Sequence, residues 1–121
     1  MFRSGKWIPM VACCAVSCGA LAQSYPAKSI RVVVPFAPGG ATDITGRTLG
    51  AKMSEGLKQT IIVDNRTGGG GVIGADLVAK APPDGYTVLL ATPAETAILP
   101  HMQKMPYNAL KDFAPVSLAT A

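Results

Sequence analysis

The hydrophobic positions of this chain fall into short runs set apart by small, polar loops, and the spacing within the runs alternates between two kinds. Residues 29–35 (SIRVVVP) form a β-branched run bounded by Pro26 and Pro35, which predicts a buried strand. A tight loop follows, Phe36-Ala37-Pro38-Gly39-Gly40-Ala41-Thr42-Asp43. From 42 to 56 the apolar positions Ile44, Leu49 and Met53, with Leu57 just beyond, recur at helical spacing. Thr42 and Asp43 predict capping and negative charge at that helix start. Gly46, Gly50 and Gly56 each weaken the helix by roughly 1 kcal/mol relative to Ala, which points to close packing on a sheet or simply to a poor helix.

The same unit then repeats. Residues 60–64 (TIIVD) predict a second strand, 65–71 a loop with four consecutive glycines, and 72–81 a short helix. Pro82-Pro83-Asp84-Gly85 is a turn in which the prolines preset φ and Gly85 accepts a positive φ. Residues 86–91 (YTVLLA) predict a third strand, ending in the small, polar loop Thr92-Pro93-Ala94-Glu95-Thr96. Strands alternating with helices through short connections predict parallel pairing with right-handed crossovers, an α/β fold. Beyond this, 97–107, with Pro100 and Pro106, reads as a turn of helix plus loop, and 116–119 (VSLA) as the start of a fourth strand. So small a set of elements buries a modest core and leaves a sheet edge unpaired, so the expectation is the N-terminal piece of something larger.

Residues 1–22 follow a different pattern. Arg3 and Lys6 precede an uncharged stretch from 7 to 22, which is shorter than the ~20 residues of a membrane-spanning helix and closes on Ala20-Leu21-Ala22 before Gln23. A basic start, a short apolar core and a small-residue end predict a secretory signal peptide at 1–22, a mature chain of 23–121 and a periplasmic location. Pro9 speaks against an N-terminal core helix. Cys13, Cys14 and Cys18 all lie in the segment to be removed, so disulfides, zinc–thiolate sites and thiol catalysis drop out of the mature chain. Lipid attachment at Cys18 is the alternative, although Ala15 stands where such sites prefer Leu. The charged fraction, 15%, is below the ~25% usual for soluble domains, which argues against a solvated disordered tail. The formal charge is +4, and loss of Arg3 and Lys6 halves it. No three basic residues are consecutive, so the chain offers no nucleic-acid groove or polybasic membrane patch.

In parallel α/β sheets ligands sit outside the carboxyl ends of the strands, and all three loops lie there. Gly39, Gly40 and Ala41 bring backbone N–H groups to a helix start without side-chain obstruction, and Gly68 to Gly71 feed the helix at Val72 in the same way. Two helix N-termini converging on one cleft would make an anion site, for carboxylate or phosphate, against the alternative that the glycines serve only tight turns. Gly69-x-Gly71-x-x-Gly74 formally matches the dinucleotide fingerprint, but four residues separate its first glycine from the strand and no acid ends the next strand. No Gly-Lys-Ser/Thr phosphate loop occurs. Catalytic residues are not expected: His101, the one histidine, has no neighbouring carboxylate, and no G-x-S-x-G elbow is present. The acids are isolated, so no metal site is expected. Asp43 either caps backbone amides or accepts from a ligand amine or water, and Arg66 either reaches an anion or pairs with Asp64 in solvent.

Several motifs in order carry a resemblance: Tyr25-Pro26-Ala27-Lys28-x-Ile30 running on to Pro35-Phe36-Ala37-Pro38-Gly39-Gly40-Ala41-Thr42-Asp43; Val63-Asp64-Asn65-Arg66-x-Gly68-Gly69-Gly70-Gly71-x-x-Gly74-Ala75; Lys80-Ala81-Pro82-Pro83-Asp84-Gly85-Tyr86-Thr87; Pro106-Tyr107; and Asp112-Phe113-Ala114-Pro115-Val116. Together they resemble the Bug family of periplasmic binding proteins, the extracytoplasmic receptors of tripartite tricarboxylate transporters. The resemblance implies a type II-like periplasmic binding protein, a two-domain Venus flytrap closing on a small carboxylate, with 23–121 as the first part of domain 1 and the second domain absent. It implies ligand-binding positions at Phe36, Ala37, Gly39, Gly40, Ala41, Thr42 and Asp43, at Gly69, Gly70, Gly71 and Val72, and at Thr92. Backbone amides at 39–41 and 69–72 would hold the carboxylate, partly through ordered waters, with the Thr42 and Thr92 hydroxyls completing the contacts. The implied partners are the solute and the permease subunits of the transporter, the implied state is a monomer, and no cofactor is implied. Family members continue well beyond residue 121, so impaired binding and a truncated gene or an incomplete gene model are expected. The rival readings are a periplasmic α/β enzyme using Asp43 or His101, and an inactive fragment.

Overall fold

A computed structural model describes residues 24–119. The signal-peptide and lipidation readings, and all three cysteines, lie outside the described residues. Three strands make a single sheet: β1 (Ile30–Val34), β2 (Ile61–Asn65) and β3 (Thr87–Leu89), in the order β2-β1-β3. Both pairings are parallel, with Ile30 opposite Ile61, Val34 opposite Asn65, and Val33 opposite Leu89. The run with the strongest β-branched character takes the centre, where a strand is covered on both sides, and Ile30, Val32, Val33 and Val34 are buried.

Helix α1 (Ala41–Leu57) connects β1 to β2, and α2 (Val72–Ala79) connects β2 to β3. The two crossovers run in opposite directions across the sheet, so right-handedness puts the helices on opposite faces. After β3 a π-helical turn (Ala94–Ile98) runs into the short α3 (Leu99–Met102). Helical structure therefore begins earlier than residue 97, where the prolines suggested it.

The expectation that helical glycines mark close packing is met at two of three positions. A Cβ at Gly46 would lie 3.0 Å from Val34 Cγ2 and 3.2 Å from Leu90 Cδ2, and one at Gly50 3.2 Å from Ile61 Cγ2. Gly56 faces open space and is only a poor helix former. Two expectations are corrected. The N-cap of α1 is Gly40, with no side-chain cap, so Thr42 and Asp43 lie inside the first turn rather than at the cap. Residues 116–119 form no strand, and Val116 and Leu118 are 86% and 79% exposed. A strand needs a neighbour to satisfy its backbone groups, and among the described residues none pairs with this segment.

The amino edge of the sheet is closed by a tyrosine pair. The Tyr25 hydroxyl donates to the Gly85 carbonyl at 2.7 Å, and the Ala27 amide donates to the Tyr86 hydroxyl at 2.8 Å. The two rings lie 5.1 Å apart, and the Lys28 ammonium sits 4.4 Å above the Tyr86 ring. Gly85 takes the positive φ expected of it, +79°.

The contrast between the helical glycines is testable by thermal melting of the full-length protein. Gly56→Ala gains helix propensity in open space and should stabilise by roughly 0.5–1 kcal/mol. Gly46→Ala gains the same propensity but must displace Val34 and Leu90, so it should be destabilising by ~1 kcal/mol or more. Equal melting shifts for the two variants would refute the packing argument.

Candidate functional site

All three strands point the same way, so the loops after β1, β2 and β3 share the carboxyl edge of the sheet. The first two loops are physically tied. The Asn65 side-chain amide, at the end of β2, donates to the Phe36 carbonyl and to Asp43 Oδ1, both at 3.0 Å. The Arg66 amide donates to the Val34 carbonyl at 2.8 Å. α2 approaches so closely that a Cβ on Gly74 would lie 2.9 Å from the Arg66 carbonyl oxygen and 3.0 Å from Pro35 Cα, which only glycine permits.

Asp43 organises the first loop. It is 3% exposed, and its Oδ2 accepts from the Gly39 amide at 2.8 Å and from Arg47 Nε at 3.0 Å. The hydrogen bond from Arg47, then those from the Gly39 amide and Asn65, hold its carboxyl down to about 2, against an ordinary 3.8. Both oxygens are thus engaged inside the protein, and Asp43 is a brace for the loop.

The backbone donors can be assigned one by one. The Gly39 amide goes to Asp43, and the Gly40 amide makes a long 3.4 Å bond to the Ala37 carbonyl. In the second loop Gly68 to Gly71 all have positive φ, a run open only to glycine. The Gly71 amide donates to the Gly68 carbonyl at 3.1 Å and the Val72 amide to the Gly69 carbonyl. Of the amides expected to face a ligand, Gly39, Gly71 and Val72 are therefore used internally. Those of Ala41, Gly69 and Gly70 have no partner among the described residues, and neither do those of Thr42 and Asp43. The Thr42 and Asp43 donors were not anticipated, although the first turn of any helix leaves its amides unpaired. Around them, Ala37, Gly39, Gly40, Ala41, Gly69 and Gly70 are exposed, while Phe36, Thr42 and Val72 are half-buried.

The third loop is built on Glu95, which is fully buried. Its Oε1 accepts from the Thr92 amide at 2.5 Å, and its Oε2 from the Thr92 hydroxyl at 2.6 Å. A Cβ on Gly71 would come within 3.1 Å of Oε2, so the second loop rests on this carboxylate. The Tyr107 hydroxyl donates to the Glu95 carbonyl at 2.7 Å. Burial raises the Tyr107 phenol above its ordinary value, and the negative charges of Glu95 and Asp76 add to the effect. Glu95 was missed as a functional residue, yet Thr92-x-x-Glu95 has the spacing by which an acid reaches back to a helix start.

The remaining candidates lie apart. Arg66 donates to Asp64 at 3.0 Å, and Arg31 shares the same carboxylate, so Arg66 is paired rather than presented to an anion. Burial would raise the Asp64 carboxyl, but the two guanidinium partners bring it below its ordinary value. His101 is exposed on α3 and lines a groove of about 440 Å³ together with Thr96 of the third loop, and neither glycine loop lines it. Among the described residues no cluster of three His, Cys, Asp or Glu side chains could hold a metal, and no helix is long and apolar enough to cross a membrane.

The brace at Asp43 predicts a pH signature. Its carboxyl titrates lower in the folded chain than in the unfolded one, so its stabilisation is complete above 3.8 and is lost as pH falls toward about 2. Asp43→Asn should lower the melting temperature at neutral pH, and its difference from the parent should shrink across that acid window. A difference that stays constant through the window would show that Asp43 is not the brace.

Comparison with known proteins agrees with the α/β fold. The profile of the "Tripartite tricarboxylate transporter family receptor" matches residues 45–121. The chain is 46% identical over 99 residues to the protein BugT of Bordetella pertussis, covering 80% of this chain and 30% of BugT. Among solved structures it is similar to MatC from Rhodopseudomonas palustris with bound malate, with a TM-score of 0.70, 40% identity and coverage of 78% of this chain and 33% of that one. It is also similar to a second R. palustris protein, solved with adipate, with a TM-score of 0.56, 45% identity and coverage of 57% and 23%. The chain spans about three tenths of the length of the curated relatives it matches.

Proposed function

The chain belongs to the tripartite tricarboxylate transporter receptor family, and from that premise we propose that it supplies the carboxylate-gripping edge of an extracytoplasmic solute receptor. In this reading the protein acts in the periplasm, is exported by residues 1–22, and hands its solute to the permease subunits of a tripartite tricarboxylate-type transporter. The solute is a small carboxylate, the class to which the malate of MatC and the adipate of the second R. palustris protein belong.

One observation carries the proposal. The amides of Ala41, Thr42 and Asp43 and those of Gly69 and Gly70 lack partners among the described residues, and they sit in two loops that Asn65 and Gly74 hold against each other. Such donors at helix starts attract negative charge, and neutral dipoles let a solute leave again when the receptor opens. Phe36, Ala37, Gly39, Gly40, Gly71 and Val72 shape these loops, while Asp43 works from behind. An enzymatic role for Asp43 or His101 has less support, because the carboxylate of Asp43 is already satisfied and the groove that His101 lines receives no residue from either glycine loop.

Isothermal calorimetry on the full-length protein, against a panel of mono-, di- and tricarboxylates, tests this reading. Saturable binding of at least one member, recovered chemically unchanged, is the expected result. Conversion of any panel member, or the absence of binding by all of them, would overturn it.

A further inference from the structure

Thr92 has almost no hydrogen-bonding freedom. Its amide and its hydroxyl both donate to Glu95, and its carbonyl accepts from the Thr96 hydroxyl at 2.7 Å. A threonine hydroxyl has one hydrogen and two lone pairs. The hydrogen goes to Glu95 Oε2 at 2.6 Å, and one lone pair meets the Ala94 amide at 3.3 Å. What remains is a single lone pair. Thr92 is half-buried in the loop that ends β3, and through Glu95 that loop is packed on Gly71 of the second glycine loop.

We propose that Glu95 fixes the polarity of the Thr92 hydroxyl, so that Thr92 acts as an acceptor and selects carboxylate solutes that carry a hydroxyl over their deoxy and oxo counterparts. This rests on the carboxylate-receptor reading and corrects one part of it: with its hydrogen committed, the Thr92 hydroxyl cannot donate to the carboxylate. A ligand hydroxyl donates to the open lone pair and is matched. A ligand carbonyl or a second carboxylate oxygen placed there meets lone pair with lone pair and is rejected. Glu95 is a positioning residue in this scheme, since it acts only through Thr92. Buried and sterically confined by Gly71, it keeps both oxygens on Thr92.

The test uses two matched sets, malate with succinate and oxaloacetate, and 2-hydroxyglutarate with glutarate and 2-oxoglutarate, titrated calorimetrically into the full-length protein. In the parent protein the hydroxy member of at least one set should bind about tenfold more tightly than its oxo member. Thr92→Val, which keeps the shape and removes the hydroxyl, should bring the two within about twofold. Glu95→Gln provides the sharper readout. Its carbonyl must still accept from the Thr92 amide, which turns its NH2 group toward Thr92 Oγ1, frees the threonine hydrogen and should invert the preference in favour of the oxo acid. If Glu95→Gln shows no cooperative melt, the comparison of the parent with Thr92→Val decides alone. Binding of hydroxy and oxo members with equal affinity, or discrimination that survives in Thr92→Val, overturns this inference and leaves the receptor reading standing. Binding of no carboxylate overturns both.

Discussion

A carboxylate shut away from water must find donors, and the need to satisfy Asp43 shapes the carboxyl edge of the sheet. Its three partners come from three places: Gly39 in the loop after β1, Arg47 one turn along the same helix, and Asn65 at the end of β2. Meeting that requirement fixes the first loop against both α1 and the neighbouring strand. On the proposed reading, a loop braced in this way leaves little ordering to oppose binding.

The third loop follows the same logic with a different residue. Glu95 holds Thr92 by two short bonds and presses on Gly71, so the second and third loops share one support. This edge of the sheet is thus built on two buried carboxyl groups. The arrangement works because each is answered by donors of its own, leaving the outward face to amides that carry no formal charge. The guanidinium groups nearby are committed as well: Arg47 to Asp43, and Arg66 with Arg31 to Asp64. With these three guanidinium groups paired, what the edge presents is set by dipole direction and shape, that is, by where single donors and acceptors point.

Much of the α/β architecture was legible from residue order, because strands of β-branched residues and loops of glycine leave strong local marks. The run around Val32 read as buried and proved to be the central strand. The segment at 116–119 has a comparable local pattern and forms no strand, since strand formation depends on a neighbour rather than on composition. The glycine loops were visible for the same local reason. What each amide does was not, because the answer depends on the first helical residue, and a shift from Thr42 to Ala41 moves Asp43 from the second helical position to the third, from which it reaches back to the Gly39 amide. Asn65 was opaque for another reason: its partners Phe36 and Asp43 lie 29 and 22 residues away. Glu95 lay between these extremes, its spacing from Thr92 written in the chain but its burial set by Gly71 and Tyr107.

The tyrosine pair at the opposite end of the sheet bears on how the molecule can be handled. Tyr25 and Tyr86 fasten the segment leading into β1 beside the turn at Gly85, at the end of the strands farthest from the glycine loops. Anything joined ahead of Ser24, whether a purification handle, a surface linker or a fluorophore, therefore departs from the back of the sheet. Immobilising the protein by that end leaves the glycine loops turned toward the bulk solution.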